Sequence, residues 1–183
     1  MDRTAHPITL GFVGNVAWWQ GLDTVVRGIT SPDFQDKFRL VVVGDGEYLP
    51  KVRELAAGAP NVIFTGSLPG KEIPSVLKTF NVGVVSKSIR GEGLSPLKLY
   101  EYWAAGLPVL ATNLPGLDIV EHVKGGALYE MDDVDSFKSA LSYMVGQRDR
   151  WADWGQNGRT YVCEHASWAR IGMDTATFVS SLV

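Results

Sequence analysis

The sequence is short of the groups that operate or stabilise several protein classes. It has a single cysteine, Cys163, so a disulfide framework is excluded and a reducing, cytoplasmic setting is expected. Its three histidines, His6, His122 and His165, are scattered and read as surface or packing residues. No close Cys and His spacing suggests a zinc site, so no metal ligand is expected. No apolar run approaches the ~20 residues a membrane helix needs. The opening MDRTAHPITLGF lacks the long apolar core of a signal peptide. A large excess of one charge is missing too: a net charge of −3 gives no reason to expect nucleic acid or an anionic lipid surface as partner. Internal repeats, low-complexity tracts and linkers are missing as well.

What is present is ordinary for a globular chain. With 183 residues, 45% hydrophobic and 20% charged, there is material for one domain with a proper core. Apolar runs at 8–14, 38–44, 61–66, 81–86, 108–112 and 126–130 read as strands. The second of them, FRLVVVG, has the continuous β-branched character of a strand buried on both faces. Helix-length segments separate the runs: GLDTVVRGI with apolar spacing at Leu22, Val25, Val26 and Ile29, DGEYLPKVRELAAG ended by Gly58, KEIPSVLKTF with Pro74 in its first turn, and GLDIVEHV. From about Val134 to the end the pattern is helical, and Trp151, Trp154, Trp168, Tyr161 and Phe178 read as packing residues there. Strand and helix alternate about six times. That order indicates an α/β fold, a Rossmann-like doubly wound parallel sheet of about six strands with helices on both faces. The core spans about residues 8–130, with C-terminal helices after it.

In such sheets ligands bind outside the carboxyl ends of the strands. The loops that follow the first five strands, 14–20, 44–47, 66–70, 86–95 and 113–116, all contain glycine. The most informative of them leads into SPLKLYEYWAAGLPVLAT. Ser95-Pro96 is a strong helix start, and Gly106-Leu107-Pro108 a clear stop. The residues between are apolar nearly all round, so the helix is expected to be largely enclosed. Two charges, Lys98 and Glu101, sit inside it. A helix start after a glycine loop suits a phosphate, because free amides and the helix dipole both favour an anion. Lys98 would add positive charge there, and Glu101, one turn on, would suit the vicinal hydroxyls of a ribose. The alternative is a simple Lys98–Glu101 pair, worth only ~0.2–0.5 kcal/mol in this order. Composition alone leaves both readings open.

These residues resemble the nucleotide-sugar motif of the retaining GT-B glycosyltransferases of group 1. The likeness extends over residues 8–180: LGFVGNVAWWQGLDTVVRGI is similar to the first strand, glycine loop and helix of that family's C-terminal domain, and LVVVGDGEYLPKVRELA to the next unit. The resemblance implies the donor-binding half of a two-domain enzyme, with an N-terminal acceptor domain absent from this chain. It implies transfer of a glycosyl group from a UDP- or GDP-sugar with retention, no cofactor and no metal. The isolated domain would be inactive, and any contact with a membrane would come through the absent half. Residue by residue, it implies that Glu101 grips the ribose, that the amides of Leu97 and Lys98 with Ser95 hold the diphosphate, that backbone at Leu68 meets the base, and that Gly14 lets the chain approach the phosphates.

Three departures stand out. Eight positions before Glu101 the family has a glutamate, and here stands Gly93, with Glu92 one place away as its substitute next to the donor sugar. The family's arginine after the first glycine and lysine before the second are here Asn15 and Gln20. The missing positive charge is expected from Lys98 together with Lys87 or Arg90. The departures also fit a non-catalytic nucleotide-sugar-binding paralogue. A sugar-nucleotide epimerase of the same two-domain fold is a further alternative, its catalytic groups lying in the half not present. A dinucleotide oxidoreductase is disfavoured, because GFVGNV lacks the G-x-G-x-x-G spacing.

Overall fold

The computed structural model describes residues 7–89 and 97–182. The six apolar runs form six parallel strands, β1 (Ile8–Val13), β2 (Phe38–Val43), β3 (Val62–Gly66), β4 (Val82–Val85), β5 (Val109–Thr112) and β6 (Gly126–Tyr129), in the order β3-β2-β1-β4-β5-β6. Helices α1 (Leu22–Ile29), α2 (Leu49–Ala56), α3 (Ile73–Leu77), α4 (Leu97–Ala104) and α5 (Ile119–His122) fill the crossovers, and α6 (Val134–Gly146), α7 (Trp151–Tyr161) and α8 (Trp168–Ser180) follow. The doubly wound parallel sheet expected from the alternation is what forms.

Every strand but the edge strand β3 alternates its side chains between two buried clusters, one per face of the sheet. Leu10, Phe12, Leu40, Val42, Val82, Val84, Leu110 and Tyr129 point to the cluster that holds Val25, Val26 and Ile29 of α1 and Phe137 and Leu141 of α6. Val43, Val85, Val109 and Ala111 point to the other, with Leu99, Tyr102 and Trp103 of α4. Both faces of the inner strands are covered, so those strands are largely apolar, while the edge strand β3 leaves Ile63 and Thr65 exposed. Two glycine-sized gaps let α4 lie close. At Gly83 a Cβ would stand 2.4 Å from the Tyr102 ring, and at Gly125 another would stand 2.6 Å from Trp103, whose Nε1 donates to the Gly125 carbonyl at 3.2 Å.

Strand ends fall about one residue inside the expected runs where glycine turns the chain away. Gly14 and Gly44, after β1 and β2, both have φ of 136°. A side chain at Gly44 would meet the Gly14 carbonyl oxygen at 2.0 Å, so the two turns can nest only as glycines.

Two expectations need correcting. The helix that carries Lys98 and Glu101 is not enclosed. Leu99, Tyr102 and Trp103 are fully buried, but Leu97, Glu101, Ala104 and Ala105 are exposed. The small Ala104 and Ala105 counted as apolar in sequence, yet they leave the side of α4 open. The C-terminal aromatics also divide. Trp151 and Trp154 are buried as expected, while Trp168 is 82% and Phe178 63% exposed. Helix α8 has no buried residue, because it leaves the sheet after the π-turn Val162–Ala166.

Candidate functional site

The sheet reverses its winding between β1 and β4, and that is where an open parallel sheet forms a crevice. The loop after β1 and the segment after β4 meet there. The Ser86 hydroxyl donates to the Gln20 carbonyl, the Ser88 N–H donates to the Trp19 carbonyl at 2.9 Å, and the Lys87 N–H donates to Thr112 Oγ1 at 2.9 Å. These bonds join loop 14–20 to the ends of β4 and β5. On the other side, Tyr102 of α4 accepts the Val13 N–H at its hydroxyl, 2.8 Å away. The body of α4 is therefore held against the end of β1.

Lys98 sits in this junction. Its Nζ lies 3.6 Å from the centroid of the Phe12 ring and donates to Gln20 Oε1 at 3.2 Å. Gly14 faces it: a Cβ there would stand 3.3 Å from Lys98 Nζ. Lys87 Nζ donates to the same Gln20 oxygen at 3.3 Å. Burial, reinforced by the charge of Lys87 and only partly opposed by Glu101, pushes the Lys98 ammonium down to about 7. Burial lowers Lys87 as well. Among the described residues neither lysine has a carboxylate within ion-pair distance.

The Lys98–Glu101 pair left open by the sequence is therefore not formed. Lys98 turns inward under the end of β1, and Glu101 turns outward into a cleft of about 660 Å³. Val13, Gly14, Ile73, Pro74, Leu77 and Ala104 line that cleft with it. A smaller hollow of about 340 Å³ continues past Gly14 along Asn15, Gly44, Asp45, Ser67 and Leu68. Gly14 is common to both hollows, Glu101 lines the first and Asn15 and Leu68 the second; Lys98 and Gln20 meet behind Gly14, and Leu97 opens α4. Ser95, Gly93, Glu92 and Arg90 lie outside the described residues. A separate hollow of about 530 Å³ beside β6, which includes Tyr143, Arg150 and Trp154, shares no residue with either.

Two features were not visible in the sequence. Gln20 was noted as a departure, but its acceptance of two ammoniums depends on contacts 67 and 78 residues away. Tyr102 counted only as an apolar residue of α4, and nothing in its spacing shows that its hydroxyl closes on β1. Among the described residues no group of three or more His, Cys, Asp or Glu stands close enough to hold a metal ion. No helix among them is long and apolar enough to cross a membrane.

Comparison with known proteins agrees with this geometry. The family model described as "Glycosyl transferases group 1" matches residues 7–147. The GDP-mannose-dependent alpha-(1-6)-phosphatidylinositol monomannoside mannosyltransferase of Mycobacterium tuberculosis is 31% identical over 169 residues. The match takes in 87% of this chain and 44% of that enzyme, so the chain spans less than half the length of this relative. HepE from Anabaena, solved in complex with UDP-glucose, superposes with a TM-score of 0.82 at 17% identity over 97% of this chain and 50% of that one. The C-terminal domain of a group 1 glycosyl transferase (LpcC) from Francisella tularensis superposes with a TM-score of 0.73 at 20% identity, over 88% of this chain and 87% of that domain. The fold is that of the C-terminal half of a GT-B protein.

Proposed function

The chain belongs to the group 1 glycosyl transferases, and on that premise we propose that it binds a UDP- or GDP-sugar as the donor domain of a retaining transferase. A second domain, corresponding to the part of the relatives' length that this chain does not span, would hold the acceptor and close the cleft. The observation that carries the reading is the charge arrangement at the switch point. The Lys98 ammonium stands beside Gly14, the Lys87 ammonium shares Gln20 with it, neither has a carboxylate within ion-pair distance among the described residues, and Glu101 stands one turn on in a cleft large enough for a nucleoside.

Each group has a place in this reading. The amides of Leu97 and Lys98 and the Lys98 ammonium meet the diphosphate. Gly14, having no side chain, lets the phosphates come close to Lys98. Glu101 accepts hydrogen bonds from both ribose hydroxyls, and the hollow at Leu68 receives the base. Glu92, Gly93 and Ser95 lie outside the described residues and keep the roles the family resemblance implies, Glu92 at the donor sugar and Ser95 at the diphosphate. Chemistry would then be electrostatic. As the bond between the anomeric carbon and the diphosphate breaks, charge grows on the leaving oxygens, and fixed amides and cations stabilise it without a metal. The expected setting is cytoplasmic, where nucleotide sugars are available, and the isolated domain would bind donor without turning it over.

The departures at Asn15 and Gln20 carried the argument for a non-catalytic paralogue. Lys87 and Lys98 meet the electrostatic part of that argument, since they bring cations to the same corner from the other side. Titration calorimetry of the chain with UDP-glucose and GDP-mannose tests the reading. Binding of one of them, weakened about thirtyfold in Glu101→Ala, is expected. No heat with either at millimolar concentration would sink it.

A further inference from the structure

We propose that Lys87, Gln20 and Lys98 form a two-ammonium cradle for the outer phosphate of the donor, with Gln20 as a positioning residue that does not itself touch the ligand. The inference rests on the donor-binding reading and adds Lys87 as a phosphate ligand and a new role for Gln20. Lys87 comes from the segment after β4, Lys98 from α4, and Gln20 from the turn before α1. All three meet at one atom. Gln20 Oε1 accepts from Lys98 Nζ at 3.2 Å and from Lys87 Nζ at 3.3 Å, so the two cations stand within about two hydrogen-bond lengths of each other.

The neutral amide at Gln20 is what makes this arrangement useful. Two ammoniums this close repel, and a protein normally answers that repulsion with a carboxylate. A glutamate at position 20 would hold the pair equally well but cancel one charge. A lysine there would put a third cation into the corner. Glutamine offers an uncharged oxygen that fixes both ammoniums and leaves their charge for something else. Gln20 is buried, and its turn is held by the Ser86 hydroxyl and the Ser88 N–H, so the acceptor cannot easily move aside. One side of Lys98 Nζ is covered by Phe12, which contributes attraction but no acceptor. Among the described residues no carboxylate meets either ammonium, and an anion that reaches both nitrogens at once would do so. A terminal or bridging phosphate oxygen beside Gly14 has that size and charge.

The charged groups that face Lys98 among the described residues are Lys87, from the segment after β4, and Glu101, on its own helix. Gln20, on the turn before α1, and Phe12, on β1, are uncharged. An anion entering the cradle therefore meets two cations and one more distant carboxylate.

Calorimetry with inorganic pyrophosphate, UDP, GDP and uridine, on the chain and its variants from pH 6 to 9, tests the proposal. Lys87→Gln is expected to weaken pyrophosphate, and whichever nucleotide binds, about tenfold, as for one lost charge-assisted bond, and to leave uridine unchanged. Gln20→Glu is expected to weaken pyrophosphate and to move the pH at which affinity falls upward, because a carboxylate holds both ammoniums protonated. Gln20→Ala weakens binding without that upward move. A nucleotide that binds equally well to the chain and to Lys87→Gln overturns the cradle and leaves the donor reading intact. A Gln20→Glu variant with an unmoved pH midpoint overturns the positioning role. If the unaltered chain binds neither UDP, GDP nor pyrophosphate, the donor reading and the cradle fall together.

Discussion

Two lysines of this chain lie over phenylalanine rings, and their surroundings differ in one respect. Lys138 of α6 sits 5.2 Å from the centroid of Phe34 and closes on Asp33 with an ion pair at 2.9 Å. The hydrogen bond from Lys138 holds the Asp33 carboxyl below its ordinary range. Lys98 sits 3.6 Å from the centroid of Phe12, deeper, and its partner is the neutral Gln20. The ring contact is therefore not what separates a structural cation from a functional one. At the α6 corner the protein supplies the counter-charge, and the cation belongs to the fold. At the switch point no described residue supplies it, and a second ammonium shares the same Gln20 oxygen. A buried cation left without a counter-ion costs stability in the free chain, and an arriving anion removes that cost. Perturbed groups of this kind mark binding sites more often than packing sites.

The strongest way to break the comparison is to remove Lys98. Lys98→Met keeps much of the length over Phe12 and deletes the charge. Affinity for the sugar nucleotide is expected to fall about a hundredfold, the loss of strong charge-assisted bonds in a partly dry site. Thermal stability of the free chain should hold or rise, because an uncompensated buried charge has gone. Calorimetry paired with a thermal melt checks both. A variant that keeps its affinity but melts earlier would make Lys98 a structural cation like Lys138. Next in size is Glu101→Ala, expected to weaken nucleotides about thirtyfold through two lost ribose hydrogen bonds to a charged acceptor. Pyrophosphate, which has no ribose, should bind this variant as well as before.

A smaller effect follows from titration alone. The free chain holds Lys98 down to about 7, so above that pH the ammonium is increasingly deprotonated. A diphosphate diester has no proton to exchange in this range, and its arrival favours the charged amine. Binding therefore takes up a proton above pH 7, and affinity falls as pH rises. Below pH 7 the amine is already charged and affinity is flat. From pH 7 to 8 the expected loss is about fivefold by linkage. The heat of binding at pH 8 should also depend on the ionisation enthalpy of the buffer. An affinity constant between pH 6.5 and 9 would mean that Lys98 does not meet the anion.

How much of this could be read from the sequence depends on what each feature rests on. The strands were legible because burial on both faces forces continuous β-branched runs, as in FRLVVVG. The bounds of α4 were partly legible, since Gly106, with φ of 75°, ends the helix as the sequence indicates. That Lys98 and Glu101 mattered was also legible, because two charges among apolar residues need a reason. Their divergence was not. A spacing of three residues puts both on one side of a helix. Which way each turns is decided by Phe12, Gly14 and Gln20, which lie far away in sequence. Helix α8 fails for a related reason. Trp168 and Phe178 show that a face is apolar, and periodicity cannot say whether anything in the chain covers it.

The smallest expected effect tests the other half of the comparison. Lys138→Met deletes a cation that also lies over a ring and is also partly buried, but its counter-charge, Asp33, is exposed and well solvated. Water replaces such a partner cheaply, and exposed pairs contribute little to stability. The methionine stem still covers Phe34. The melting temperature should move by about 2 °C or less, and affinity for nucleotide and pyrophosphate should not change. Raising salt should weaken pyrophosphate binding in both the parent chain and Lys138→Met with the same slope, because the cations released to the ligand are those at the switch point. A shallower slope in Lys138→Met would show that the anion senses the whole α1–α6 face, and the distinction between a cation closed by the fold and a cation left open would then not hold.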